Sequence, residues 1–124
     1  MQEALEMAHN ADSKVAYSYG NYDRIGSVTG TWTAGEFNEK RLKEVNFIST
    51  MSMVYTKTLP APPFVEDEDR LQDWSLWLRM LQNGRVGAYV PKTLFSAFYD
   101  DDCISVRDTA DYYHWSNLIR SRYV

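Results

Sequence analysis

Asp73 is the residue of this 124-residue chain whose type and setting best suit chemistry. It lies between Gln72 and Trp74 at the head of a segment, Gln72-Asp73-Trp74-Ser75-Leu76-Trp77-Leu78-Arg79, that has helical periodicity. Residues of an ideal helix advance by about 100° each. Asp73 therefore falls on the flank of the apolar stripe Leu71, Trp74, Leu78 and Leu81, in line with Trp77 one turn on. The helix N-terminus and the apolar flank act on such a carboxylate in opposite senses. A carboxylate balanced in this way suits a general base that takes a proton from an alcohol. Trp74 and Trp77 beside it would offer apolar faces to a sugar ring. A second reading stands next to this one: Asp73 is a helix-start acid favoured by the dipole, and the two tryptophans are core.

Other reactive residue types are more scattered. Arg79 is about 120° from Asp73 around the helix and is no intrahelical partner for it; a carboxylate elsewhere or solvent is expected to take it. Glu66, Asp67 and Glu68 read as a solvated acidic loop, with metal binding the lesser alternative. Asp100-Asp101-Asp102 contains a D-x-D string in what reads as an exposed turn. His114 falls on the last helix and reads as a surface or packing residue. Cys103 is the single cysteine, so no internal disulfide can form, which fits a reducing compartment.

The elements that must position Asp73 follow from pattern and punctuation. A helix is expected over 2–9, ended by 10–12, and a short buried strand over 15–19. Residues 20–35, rich in Gly, Thr and Asn, read as turns or a hairpin. A short helix is expected at 37–45, a strand at 46–55, and a loop at 57–63, which holds three prolines. Asp69 reads as the N-cap of the main helix, with Gln72 completing a capping box. Asn83-Gly84 supplies the stop. Strands follow at 86–90, broken at Pro91, and at 94–99. Asp108 or Thr109 caps a final helix in which Tyr112, Trp115 and Ile119 share a face. The resulting order is α/β, a mixed sheet flanked by helices, with few strands for so many aromatic residues.

Bulk properties narrow the function further. The chain suffices for one small domain, 1–124. Apolar residues make up 44% and charged residues 24%, an ordinary globular balance. Nine tyrosines and four tryptophans allow a core and an aromatic groove together. A net charge of −4 argues against nucleic-acid binding. The first residues carry acids and no basic-then-apolar signal, and no apolar run approaches the roughly 18 residues of a membrane span. A cytoplasmic location, with peripheral contact at the inner face of a membrane, is the expectation.

Asn46-Phe47-Ile48, then Phe64 and the acids, then Gln72 to Arg79, then Gly84, then Gly87-Ala88-Tyr89-Val90-Pro91, together resemble the second half of family 2 glycosyltransferases of the GT-A fold. In that family an NFI segment leads through a loop to a (Q/E)DW-x-L-W-x-R helix and then to a G-x-Y-V-P strand. The agreement in order, spacing and type runs over roughly residues 15–99.

The resemblance implies a partial GT-A fold, Rossmann-like in character, that lacks the N-terminal nucleotide-binding half. It implies inverting transfer from a sugar nucleotide to a glycan or lipid-linked acceptor. Asp73 matches the base that deprotonates the acceptor hydroxyl. Trp74 matches a residue beside the acceptor and donor sugars, and Asn46 lies at the border of the acceptor pocket. Residues 15–23 resemble the strand that follows the donor site. The family also uses a divalent cation, Mn or Mg, held by a D-x-D motif. Here the D-x-D string at Asp100-Asp101-Asp102 follows the late strand and cannot stand in for that motif, and the histidine that many members carry after the Y-V-P strand is missing. The nucleotide-binding half is therefore expected outside these residues. The alternative is a non-catalytic carbohydrate-binding or dimerisation module derived from such an enzyme, with a homodimer covering its open sheet edge.

Overall fold

A computed structural model describes residues 2–99 and 109–124 of the chain. The elements run α1 (Gln2–Ala11), β1 (Val15–Gly26), β2 (Gly30–Trp32), α2 (Glu39–Glu44), β3 (Met53–Val54), a 3-10 turn (Thr56–Thr58), α3 (Gln72–Gln82), β4 (Val86–Tyr99) and α4 (Thr109–Tyr123). The architecture is mixed α/β, a small sheet flanked by helices.

β1 is the axis of the sheet. Parallel β4 runs along one edge of it from Val15 to Gly26, while antiparallel β3 and β2 share the other edge. Pairing on both edges and cover on both faces explain why the first half of β1, Val-Ala-Tyr-Ser-Tyr-Gly, is buried without alternation. Leu5 of α1 is buried as well, and α1 packs on β1. On the side of α3, Tyr17 stacks on Trp77 with centroids 4.5 Å apart. Gly87 lies opposite Tyr17 in the register. A Cβ there would come within 2.4 Å of the Tyr17 ring, so only glycine admits the stack.

The strand expected at 86–90 and the one at 94–99 are a single strand. Pro91 marks an irregularity rather than an end: Gly20 pairs with Val90 and Asn21 with Thr93, which leaves Pro91 and Lys92 as extra residues in β4. Proline lacks an N–H for the ladder and is tolerated at a bulge. Residues 20–35 do form a hairpin, but β1 extends through its first part to Gly26.

The strand expected over 46–55 is reduced to Met53–Val54. Phe47 and Ile48 are consecutive and each only 1% exposed, which strand alternation on a one-sided sheet does not provide. Their carbonyls accept the indole N–H groups of Trp32 and Trp77, each at 3.2 Å. Ser49 then anchors a tight turn, its Oγ accepting from Met51 N at 3.0 Å.

The start of α3 also differs from expectation. Asp69 does not cap it. The cap position is Leu71, in the left-handed region at φ 57°, with no side-chain cap. Gln72 turns its amide back to Glu68 O at 2.8 Å, so no capping box closes. A left-handed non-glycine residue costs on the order of 1 kcal/mol, and such strain gathers beside functional groups. The far end is as expected. Gly84, at φ 77°, donates to Leu81 O, and Arg85 N donates to Met80 O at 2.9 Å, the paired bonds of a Schellman stop.

α4 closes the structure against α3. Ile119 is fully buried, and the Arg120 guanidinium lies over the Trp74 ring, 5.6 Å from its centroid. The acids expected as a solvated loop partly leave solvent here. Glu68 is 0% exposed and accepts from Arg122 Nη1 at 2.9 Å, Tyr123 Oη at 2.8 Å and Ser75 Oγ. Asp67 pairs with Arg122 at 2.7 Å. The D-x-D string, Cys103 and Asp108 lie outside the described residues.

Candidate functional site

Asp73 occupies the second position of α3, and three donors from two segments, α3 itself and the 46–52 turn, converge on its carboxylate. Oδ1 accepts from Trp74 N at 2.9 Å and from Asn46 Nδ2 at 3.2 Å. Oδ2 accepts from Thr50 Oγ1 at 3.0 Å. An ionised carboxylate offers about four lone-pair sites. Oδ1 is thus filled, and Oδ2 keeps one site free. The irregular course of 46–52 matters here. A regular strand would have kept the carbonyls of Phe47 and Ile48 in a ladder; the turn brings Asn46 and Thr50 to the same carboxylate.

Three adjoining cavities meet at Asp73. One of about 420 Å³ is walled by the aromatic rings of Tyr22, Trp32, Tyr99 and Tyr112, with Arg24 at its lining. A second, of about 400 Å³, is bordered by Phe64, Arg70 and Gln72. A third, of about 220 Å³, is lined mainly by apolar groups, among them Leu59, Phe64 and Trp77. Thr50 borders all three. The first two have volumes typical of small-ligand sites, roughly 300–1,000 Å³. Among the described residues Arg79 takes no carboxylate. It donates to Pro62 O at 2.6 Å and also to Pro63 O, which ties the loop carrying Phe64 to α3.

The four residues that sequence reasoning placed in a site divide into two pairs. Asp73 and Asn46 are in direct contact and share two cavities. Trp74 and Trp77 lie behind them in the core, at 1% and 2% exposure. The Trp74 indole donates to Leu42 O at 2.7 Å, and that of Trp77 to Ile48 O. Their faces are covered by protein, so neither ring can stack on a sugar in this arrangement; Trp77 only contributes to the wall of the small apolar cavity.

The aromatic surface that does face the cavity of about 420 Å³ was not singled out from sequence. Tyr22 stacks on Phe95 with centroids 4.9 Å apart, tilts against Trp32 at 6.5 Å, and meets Tyr99 hydroxyl to hydroxyl at 3.2 Å. Burial, and next the Tyr99 hydroxyl, push the Tyr22 phenol well above its ordinary value. It stays neutral and hydrogen-bonding at any working pH. The irregular register on either side of Asn21 breaks the two-residue alternation of β1, which is the signal that would have assigned Tyr22 to a face.

Among the described residues no group of three or more His, Cys, Asp or Glu side chains converges as a metal site. Asp73 is held by neutral donors and has no second carboxylate on the atoms that bind it. The described residues therefore do not make the donor set for a divalent cation. No helix among them is long and apolar enough to cross a membrane. No protein-family model, no curated protein and no solved structure matches this chain.

Proposed function

We propose that the chain is the acceptor side of an inverting glycosyltransferase of the GT-A type, with Asp73 as the general base. One observation carries the reading: a part-exposed carboxylate at a helix start, oriented by Asn46, Thr50 and Trp74 N, with one oxygen site left open toward ligand-sized cavities. The resemblance of the Gln72 to Arg79 segment supports it.

In this mechanism the acceptor hydroxyl donates its hydrogen bond to Asp73 Oδ2. As its oxygen forms the new bond to the anomeric carbon of the donor, the proton passes to Asp73. The bond from that carbon to the nucleoside diphosphate breaks on the opposite face, and the diphosphate leaves with the electron pair. A single carboxylate suffices for one displacement with inversion. The resemblance assigns stabilisation of the leaving diphosphate to a divalent cation, Mn or Mg, held by a nucleotide-binding unit outside the described residues. The described chain does the rest: it orients the base, seats the acceptor against aromatic rings and keeps Phe64 and its loop over the site. The acceptor would be a glycan or lipid-linked sugar and the location cytoplasmic. β4 pairs only with β1 among the described residues, so its other edge is where that unit, or a second copy in a homodimer, would add.

The test is transfer by the protein as the cell makes it, followed as nucleoside diphosphate release from a panel of sugar nucleotides. Asp73→Asn is expected to lower turnover by roughly a hundred- to ten-thousandfold, the usual share of a general base. Undiminished release by that variant would remove Asp73 from the reaction. A non-catalytic carbohydrate-binding module is the second reading, favoured by the aromatic wall; it predicts sugar binding with no release in either protein.

A further inference from the structure

Among the described residues, the aromatic-walled cavity of about 420 Å³ has two charged linings, the Asp73 carboxylate and the Arg24 guanidinium. Arg24 belongs to the second half of β1, paired with Gly30 of β2. Its Nε donates to Gly30 O at 3.3 Å, and its guanidinium carbon lies 6.0 Å from the centre of the Trp32 ring. These two contacts hold the head group in place, while its terminal nitrogens make no hydrogen bond to any described residue. Tyr22 senses both charges: Arg24 draws its phenol down and Asp73 pushes it up. One basic and one acidic side chain thus share a cleft whose wall is aromatic. A neutral sugar would use the wall and Asp73 and leave a preorganised guanidinium facing water. A planar fork of this kind is the side chain suited to two-point recognition of a carboxylate or phosphate.

We infer that this cleft takes an acceptor sugar that carries an anionic substituent, a phosphate or carboxylate, with Arg24 as its counter-charge and Trp32 and Tyr22 against its ring. The acceptor role rests on the proposed function; the anion site does not. Arg24 is then a specificity-determining residue. It selects among acceptors by charge and has no part in the proton transfer.

The experiment is a titration of the ¹⁵N-labelled chain, following the Trp32 indole and Arg24 Nε signals. The probes are glucose, glucose 6-phosphate, glucuronate and inorganic phosphate. At least one anionic sugar is expected to bind about tenfold or more tightly than glucose, a difference that falls with added salt. The tighter of the two names the anion. Arg24→Gln should bring anionic sugars down to the affinity of glucose, and Arg24→Lys should retain part of the preference. If Arg24→Gln loses its native spectrum, Arg24→Lys and the salt series decide. Equal affinity for glucose and both anionic sugars overturns the inference, as does a preference that survives Arg24→Gln, binding of phosphate as tight as that of glucose 6-phosphate, or no perturbation at Trp32 by any probe. Asp73→Asn should leave the preference in place. A neutral sugar seated against Trp32 without preference would remove the anion site and leave the general base untouched. A clear preference in a protein whose Asp73→Asn variant transfers normally would do the reverse.

Discussion

Glu68 and Asp73 lie five residues apart around the same helix start, yet their surroundings are opposite. Glu68 is shut from solvent, and its oxygens are taken up by an arginine, a tyrosine and a serine. Asp73 is part-exposed, meets only neutral donors among the described residues, and borders three cavities. A carboxylate neutralised by a cation and saturated with donors has little left to offer a substrate; its value is in tying α4 to the acidic loop and α3. A carboxylate oriented by neutral groups, with one site open, can exchange a proton. Burial alone would not mark a reactive acid, and here the more buried carboxylate, Glu68, is tied into the structure.

The strongest way to break this contrast is to remove each charge in turn. Asp73→Asn keeps size and most of its hydrogen bonds. Turnover should fall by the factor set out above while urea unfolding shifts by less than about 1 kcal/mol, as for substitutions away from the packed core. Glu68→Ala should do the reverse. Three donors lose their acceptor, two of them hydroxyls on packed elements, and a cost on the order of 3 kcal/mol is expected from unsatisfied buried groups. That is a large share of the roughly 5–15 kcal/mol available to a domain. A Glu68→Ala variant as stable as the parent would mean that water replaces the carboxylate, and the division of labour would lose its structural half.

Much of this was open to inspection in the sequence, for physical reasons that differ by region. The Asn83-Gly84 stop was visible because a left-handed helix end requires a residue like glycine. The buried run at 15–19 was visible because continuous apolar residues need cover on both sides. The segment 46–52 was misread because two indole N–H groups, from Trp32 and Trp77, satisfy its carbonyls. Such distant partners leave no local periodicity. The capping box failed for a similar reason: Glu68 is drawn into a cluster with α4, and the helix begins after Leu71 instead of after Asp69. Asp73 and Asn46 were each singled out, and their contact is found. The aromatic wall was sought on α3, where the rings are core, and it stands on β1, β2 and the end of β4, with Tyr112 from α4. Composition promised both a core and a groove but could not say which ring went where.

Thr50→Val sharpens the comparison at smaller scale. It preserves shape and removes the one hydroxyl that holds Asp73 Oδ2. Turnover should drop by about tenfold, equivalent to about 1.4 kcal/mol of transition-state stabilisation, with KM and the unfolding midpoint nearly unchanged. An unchanged turnover would show that Asn46 and the Trp74 N–H orient the base by themselves.

The smallest effect concerns the rim of the structural cluster. Asp67 is exposed, and its hydrogen bond from Arg122 holds its carboxyl below the ordinary value of 3.8. The folded protein therefore binds the Asp67 proton less readily than the unfolded chain does. Stability from this pair is complete above about pH 4 and is lost as pH falls through the depressed folded value. Asp67→Asn should flatten that part of the acid limb and leave stability at neutral pH almost as it was, because an exposed pair contributes little. Thermal unfolding of both proteins between pH 2 and 7 checks it. A parallel pair of curves over the acid range would show that Arg122 serves Glu68 alone and that the exposed acid is a bystander. The contrast between the two carboxylates would then rest on Glu68 and Asp73 without help from the loop around them.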